Sequence, residues 1–394
     1  MPAAAFEFAS AGRVVFGGGE VRQAPQALRG LGARQVLVVT GRTTQRSAPL
    51  RSALAAEGIE SVTFPVPGEP TVDMAREATS LVQRHRCDAV VGFGGGGALD
   101  AAKAVAILAT NGGDPLDYLE TVGRGRVLQR PAVPWVAVPT TAGTRAEVTR
   151  NAVLTVTEAA VKASLRSPLM LARLAIVDPD LLVGTPRPTL AASGLDALSQ
   201  LIEPYLSARA NPLTDALAPE GIRRSARSLP QAAVEGTGGG DAASQRRRED
   251  LALASLFGGL CLANSGLGAV HGFAVPVGGT FAAPHGAVCA ALLAPAMEIN
   301  LRALSARAPD HPGRLRMRHV AALLTGDPAA TAEDGIAWLR RLCAALALPG
   351  LAHYGMTEAD IPELVGKAKQ ASSMRANPIT LTDQELTEMA LRSL

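Results

Sequence analysis

The sequence predicts two folded units, an α/β N-terminal domain with a parallel sheet and an all-α C-terminal domain. Three observations carry that expectation. Up to about residue 180, short β-branched runs alternate with helical periods, which is the pattern of a parallel sheet wrapped by helices. Beyond Pro179, long apolar-periodic segments replace the strand signals. The chain of 394 residues also exceeds the ~100–200 residues of a single domain. The division is placed at 182/183, giving domains 1–182 and 183–394.

In the first domain, strands are expected at Arg13–Phe16, Gln35–Thr40, Ser61–Phe64, Asp88–Gly92, Trp135–Pro139 and Leu174–Asp178, each a short run rich in Val, Ile or Phe. Helices are expected at Val21–Leu28, Ser47–Glu57, Val72–His85 and Ala98–Ala109. In the second domain the apolar period predicts helices at Leu190–Tyr205, Asp215–Leu229, Glu249–Asn264, Ala287–Leu304 and Ala332–Leu346. Between two of these lies Val234–Asp250, VEGTGGGDAASQRRRED, whose glycine and polar content reads as a surface loop without chemistry. No internal repeat of fixed period is visible.

The most informative stretch is CDAVVGFGGGGALDAAK at Cys87–Lys103. An apolar strand runs into four glycines, Gly94, Gly95, Gly96 and Gly97, and then into an alanine-rich helix. Such a loop lets backbone approach a diphosphate, and the first helical turn offers unpaired N–H groups and the positive end of the dipole. Gly92, Gly94 and Gly97 satisfy G-x-G-x-x-G, a pattern that a glycine tract meets easily. A turn that only packs strand on helix would read the same way.

Composition excludes several classes. Hydrophobic content of 47% and charged content of 19% describe a globular enzyme rather than a disordered chain. The net charge of +3 comes without a basic stripe interleaved with aromatics, so no nucleic-acid partner is expected. Arg246–Asp250, RRRED, reads as a solvated helix start. Cys87, Cys261, Cys289 and Cys343 are scattered, with neither C-x-x-C spacing nor the density of a disulfide scaffold, and are expected to be buried thiols. The N-terminus has no signal-peptide pattern, and no window reaches ~18 uninterrupted apolar residues. A cytoplasmic protein with no membrane partner is the expectation.

The glycine loop resembles the GGGSxxDxAK signature of the iron-containing (group III) alcohol dehydrogenases, with Gly97 where that family usually has serine. The likeness continues in register through PTTAGTRAEVT at Pro139–Thr149, AIVDP at Ala175–Pro179, SGLDAL at Ser193–Leu198 and NPLTDAL at Asn211–Leu217. GLGAVHG around His271, PHG around His285 and MRANP at Met374–Pro378 complete it over nearly the whole chain. The resemblance implies the dehydroquinate synthase-like fold of that family, a small alcohol or aldehyde substrate, and a homodimer.

On the cofactor side the resemblance implies NAD(P). An ordinary Rossmann fold has its glycine loop after the first strand and a ribose-binding acid about twenty residues on; Asp117 sits at that distance without being assigned the role. In the resembling family the ribose is read at the end of the VLVVT strand, often by aspartate, where this chain has Gly41, followed by Arg42, Thr43 and Arg46. Loss of a carboxylate beside guanidinium groups would favour NADP(H), since arginine suits a phosphate. The same arginines could be surface charge. Gly94–Gly97 and Ala98 correspond to the phosphate loop, Thr140, Thr141 and Thr144 to nucleotide contacts, and Val153 and Lys162 to nicotinamide-side contacts. Asp100 could cap its helix or line the ribose pocket. Asn151 could meet substrate or brace its strand.

On the metal side the resemblance implies Fe²⁺ or Zn²⁺ held by one aspartate and three histidines, the aspartate and first histidine at i and i+4 of one helix. Asp196, His271 and His285 match, the two histidines being the expected catalytic residues, while the i+4 position is Gln200. An amide oxygen at Gln200 would be the weaker donor. A further family histidine, linked to proton transfer, is Val275 here. The expected activity is NAD(P)-dependent interconversion of a small primary alcohol or hydroxy acid with its aldehyde or oxo acid. Two alternatives stand beside it: a metal-independent reductase resembling maleylacetate reductase, for which Arg145 and Arg150 are the candidate anion-binding residues, and a dinucleotide-binding module without turnover. His85, His311, His319 and His353 fall outside the matched motifs.

Overall fold

A computed structural model describes residues 5–143, 145–159 and 161–394. Contacts divide the chain after Val183, into Ala9–Val183 and a second unit of Gly184–Leu394 with which residues 5–8 group. Those four residues therefore depart from the expected first domain.

The first unit contains, in order, β1 (Val14–Phe16), α1 (Ala24–Gly30), β2 (Gln35–Thr40), α2 (Ala48–Ala56), β3 (Glu60–Pro65), α3 (Val72–His85), β4 (Ala89–Gly94), α4 (Gly96–Asn111), α5 (Pro115–Tyr118), β5 (Trp135–Pro139), β6 (Asn151–Val156), β7 (Val161–Arg166) and β8 (Leu174–Val177). Six strands form one sheet in the order β1-β8-β5-β4-β2-β3, and every pairing is parallel. The central strands β2, β4, β5 and β8 are buried on both faces, so they are apolar almost throughout rather than alternating. On one face Val36, Val38, Val91, Phe93, Val136 and Ile176 pack against Leu28 of α1 and Leu50 and Leu54 of α2. Full burial of each such leucine is worth about 1.5–3 kcal/mol. The expected helices at Val21–Leu28 and Ser47–Glu57 each open with a 3₁₀ turn and become α-helical only at a residue followed by proline, Ala24 and Ala48, where the ring's fixed φ suits a helix start.

The antiparallel hairpin β6–β7 was not expected from the sequence. Ala152, Leu154 and Val156 do alternate inward, but Val161–Arg166 is VKASLR, poor in strand formers. Tertiary contacts supply what propensity lacks, since Ala152, Leu154, Ala163 and Leu165 join a core with Val72, Ala75, Ala104 and Ile107 of α3 and α4.

The second unit contains α6 (Arg187–Leu206), α7 (Pro212–Glu235), α8 (Ala242–Ser265), α9 (Ala269–Thr280), α10 (His285–Arg307), α11 (Gly313–Thr325), α12 (Ala332–Ala345), α13 (Ile361–Gln370) and α14 (Asp383–Leu391). No strand occurs among its described residues. The expected loop Val234–Asp250 is mostly helix, with only Gly236–Asp241 between α7 and α8. Asp241 explains the start of α8, its carboxylate accepting from Ala243 and Ser244 N–H at 2.9 Å each in an N-cap arrangement. RRRED is correspondingly not a solvated start. Arg248 donates to the Thr237 and Gly239 carbonyls, and buried Asp250 accepts from Arg224, Arg227 and Ser228 of α7. α10 is long and apolar enough to cross a membrane, yet 78% of its most apolar window is buried within the protein, as in a core helix.

Candidate active site

Two sets of side chains carry the chemistry, one on each unit. In the first, β4 ends at Gly94 and α4 begins at Gly96, with Gly95 at the N-cap and no side chain capping the helix. The first-turn N–H groups therefore have no side-chain acceptor, which is the setting for an anion. None of the tract's glycines has positive φ; they are needed for close approach. A Cβ at Gly92 would lie 2.9 Å from Leu99 and Ala102 side chains, and one at Gly94 2.7 Å from Ala98 Cβ. Part of the motif thus packs strand on helix. Gly97 answers to another neighbour, since its Cβ would lie 2.2 Å from the Gly68 carbonyl oxygen. That carbonyl fills the space a serine would need.

Around this loop, Thr140 N–H donates to the Gly94 carbonyl at 2.9 Å, holding the end of β5 against it. Thr141 Oγ1 is buried with no hydrogen-bond partner, and it is the atom nearest a Cβ built on Gly95. An orphaned hydroxyl beside an uncapped helix start suits a phosphate oxygen. Thr144 lies outside the described residues. Gly41, at the end of β2, leaves open space around a Cβ, while its N–H is 3.1 Å from where a Gly94 Cβ would stand. The neighbouring arginines are both engaged. Arg42 donates to the Pro67 carbonyl at 3.2–3.3 Å and Arg46 to the Leu181 carbonyl at 2.6 Å.

Asp100 neither caps α4 nor stands apart from the hairpin. Its Oδ2 accepts from Val153 N–H at 3.2 Å, fixing β6 to the glycine-loop helix. Burial pushes Asp100 up to about 6, against the pull of Lys103 and the Val153 bond. Lys103 is itself lowered to about 8 by burial; it donates to Thr149 Oγ1 at 3.0 Å and to the Asn151 carbonyl at 2.7 Å. The Asn151 backbone thus braces the hairpin. Lys162, in β7, lies 3.5 Å from Glu69.

In the second unit, three helices bring together residues far apart in sequence. Asp196, Gln200 and Glu203 lie at i, i+4 and i+7 on one face of α6, the spacing that aligns side chains along a helix. His271 is in the first turn of α9 and His285 is the first residue of α10. α10 starts close against α6, for a Cβ at Gly286 would lie 2.5 Å from the Ala192 carbonyl oxygen. α9 starts on Glu203 and the MRANP turn: Val270 N–H donates to Glu203 Oε1 at 2.7 Å and Ala269 N–H to Asn377 Oδ1 at 3.2 Å. No side chain fits at Gly268, whose Cβ would be 2.8 Å from both acceptors.

His271 Nδ1 meets Glu203 Oε2 at 2.6 Å. A carboxylate there can only accept, so Nδ1 carries a proton, and in the neutral ring Nε2 presents its lone pair. Nε2 faces Asp196 Oδ1 at 3.4 Å, and His285 Nε2 lies 3.6 Å from the same oxygen. Cys289 Sγ, one turn beyond His285, stands 3.8 Å from His271 Nε2 and 3.7 Å from His285 Nε2. The four donor atoms lie within 4.8 Å of one another. Burial opposes a charged His271, but the surrounding Cys289, Asp196 and Glu203 groups outweigh it and raise the ring's pKa well above 6.5. The cluster favours positive charge.

The Gln200 amide turns toward Asp196. Its Nε2 donates to Asp196 Oδ1, because an amide oxygen facing a carboxylate would repel it. Its Oε1 is buried without a partner and lies 3.7 Å from where a Cβ of Gly258 in α8 would stand. The amide oxygen expected as a ligand thus has no hydrogen-bond partner among the described residues, and the amide nitrogen contacts Asp196. Cys289 and Glu203 were missed from sequence, although their spacings, four from His285 and seven from Asp196, are visible there. Val275 is exposed. His311 and His319 bond to Gly313 N–H and the Tyr205 hydroxyl, and His353 packs edge-on against Tyr354, all apart from the cluster.

The chain thus combines a parallel sheet carrying a glycine-loop helix start with a helical unit presenting carboxylate and imidazole donors. The family model for iron-containing alcohol dehydrogenase matches residues 11–179 and that for the C-terminal region of the Fe-containing alcohol dehydrogenase family matches residues 190–394. The chain belongs to the iron-containing alcohol dehydrogenase family and is an alcohol oxidoreductase. It is 37% identical to a 1,3-propanediol dehydrogenase of Klebsiella pneumoniae over 84% of this chain and 83% of that one. It is 33% identical to an NAD-dependent methanol dehydrogenase of Bacillus methanolicus over 96% and 97%. A crystal structure of a 1,3-propanediol oxidoreductase superposes with a TM-score of 0.89 at 32% identity, covering 99% of this chain and all of that one.

Proposed function

We propose that the protein interconverts a small primary alcohol or hydroxy acid with its aldehyde or oxo acid, using NAD(P) and a divalent metal ion. The observation that carries this reading is the convergence of Asp196 Oδ1, His271 Nε2 and His285 Nε2. Their N···O separations are too long for good hydrogen bonds and close to the about 3.3 Å edge of a tetrahedral site with bonds of about 2.0 Å. The donor chemistry therefore fits a divalent ion. Bound there, such an ion acts as a Lewis acid toward the oxygen of the reacting carbonyl or alcohol.

The chain's own residues do the remaining work. Glu203 fixes the His271 tautomer, and Gln200 orients Asp196 by donating to it. Gly95, Gly96, Gly97 and Ala98 offer the first-turn N–H groups of α4 to a diphosphate, with Thr141 Oγ1 as a further partner. Asp100, by holding Val153, sets the hairpin strand, on which the resemblance implies nicotinamide-side contacts. Gly41 removes the carboxylate that would repel a 2′-phosphate, which supports acceptance of NADP(H) as well as NAD(H).

The test is steady-state reduction of short aldehydes with NADH and NADPH, before and after exhaustive chelation and after readdition of Fe²⁺ or Zn²⁺. Activity that falls on chelation and returns with metal is expected. Full activity in the chelated enzyme would leave the metal-independent reductase as the better account, with His271 and His285 as hydrogen-bond donors to the carbonyl.

A further inference from the structure

The geometry points to Cys289 as the fourth protein ligand of the divalent ion, a thiolate standing in for the imidazole that this chain lacks at Gln200. This rests on the metal-assisted reading above and deepens it. In a tetrahedral site with bonds of about 2.0 Å to nitrogen and oxygen and about 2.3 Å to sulfur, sulfur and nitrogen donors stand about 3.5 Å apart. Cys289 Sγ is 3.8 Å from His271 Nε2 and 3.7 Å from His285 Nε2. Those are the same few tenths of an ångström beyond the ideal edge as the Asp196 contacts at 3.4 and 3.6 Å. All four atoms lie within 4.8 Å of one another, close enough to meet a single ion.

The helices make this arrangement without strain. His285 and Cys289 are one turn apart on α10, so both side chains fall on the face turned to Asp196 and His271. Gln200 occupies the other i+4 position, on α6, but its amide donates to Asp196 Oδ1. An N–H directed at a ligand oxygen positions that ligand and does not compete for the ion.

A thiolate changes which ion the site takes. Binding releases the thiol proton to solvent, after which Asp196 and Cys289 carry two negative charges against the two positive charges of the ion. Soft sulfur ligands select Zn²⁺ over harder divalent ions. The inferred site is therefore a zinc-type Asp–His–His–Cys set.

Cobalt(II) reports the ligand directly. The protein is stripped with a chelator under reducing, oxygen-free conditions, reloaded with one equivalent of Co²⁺, and its absorption spectrum recorded. Wild type is expected to show an intense sulfur-to-cobalt charge-transfer band in the near ultraviolet. Cys289→Ser should lose that band while retaining weaker visible bands of bound cobalt. Its Zn²⁺ affinity, read by competition with a chromophoric chelator, should fall by more than the about 10–100-fold that a lost outer partner costs. Cys261→Ala and Cys343→Ala should keep the band. Cys289→Asn, checked for folding by circular dichroism, serves as the second variant should the serine variant not fold. Stoichiometric cobalt in wild type without the band, or a band that survives in Cys289→Ser, overturns the assignment while leaving the metal-assisted reading intact. No binding of Co²⁺ or Zn²⁺ to wild type overturns both.

Discussion

Replacing Glu203 by glutamine tests whether the second unit is built to hold an ion, because the substitution alters one proton and almost no volume. Glu203 Oε1 accepts from Val270 N–H at 2.7 Å and Oε2 meets His271 Nδ1 at 2.6 Å. In Glu203→Gln the side-chain oxygen must stay on Val270, since an amide NH₂ there would face another donor. The NH₂ then points at Nδ1, which has to become an acceptor, and the ring proton moves to Nε2. That is the nitrogen aimed at Asp196 and Cys289. Loss of an outer partner of a ligating histidine costs about 10–100-fold in metal affinity, or about 1.4–2.8 kcal/mol. A full tautomer exchange places the effect at the upper end. Zn²⁺ competition titration of the folded variant measures the loss, and ¹⁵N NMR of the imidazole reads the tautomer. A folded Glu203→Gln protein that binds Zn²⁺ as tightly as wild type would refute the reasoning.

Three further outcomes are expected. Gly41→Asp introduces a side chain into open space and should move cofactor preference toward NAD(H) by ~1–3 kcal/mol, the worth of a hydrogen bond to a charged group; wild-type activity confined to NADH removes the basis for this. Gly97→Ser places a Cβ 2.2 Å from the Gly68 carbonyl oxygen, so the loop must shift, and the overpacking should cost about 1–3 kcal/mol, seen as a lower denaturation midpoint; an unchanged midpoint would contradict it. Glu147 is pushed by burial up to about 7 from 4.5, so between those values the folded state holds more protons than the unfolded chain and stability falls as pH rises. Glu147→Gln removes that loss, and its unfolding free energy relative to wild type should climb between about pH 4.5 and 7 by at most about 3.4 kcal/mol, at 1.36 kcal/mol per pH unit, and stay level outside; a pH-independent difference would show that Glu147 does not titrate there.

Much of the architecture was legible because it rests on local pattern. Gln35–Thr40 and Trp135–Pro139 fill their strands end to end, since both faces of the sheet are covered and the runs are apolar throughout. Val72–His85 was legible for a different reason, an apolar stripe begun by the Thr71 cap. α9 was not, because Gly272, Pro276, Gly278 and Gly279 all argue against helix. It forms where Glu203 and Asn377 accept its first N–H groups, a tertiary fact. At the candidate site, motifs named Asp196, His271 and His285, but the direction of the Gln200 amide is decided by the carboxylate beside it. Cys289 looked like one of four scattered thiols because residue counts along the chain cannot show that α10 turns this one toward α6.

The sheet order bears on how the chain can fold as it is made. β1 pairs only with β8, Val14 against Ala175, so the first strand waits for a partner synthesised about 160 residues later. Closing so long a loop costs about 2.4 kcal/mol more entropy than closing one of ten residues, at about 0.6 kcal/mol per doubling. Nascent chains emerging at about 5–20 residues per second would leave β1 unpaired for on the order of ten seconds or more. At three residues, Val14–Phe16, that waiting strand is short enough to offer neighbouring chains on the same message little edge to copy.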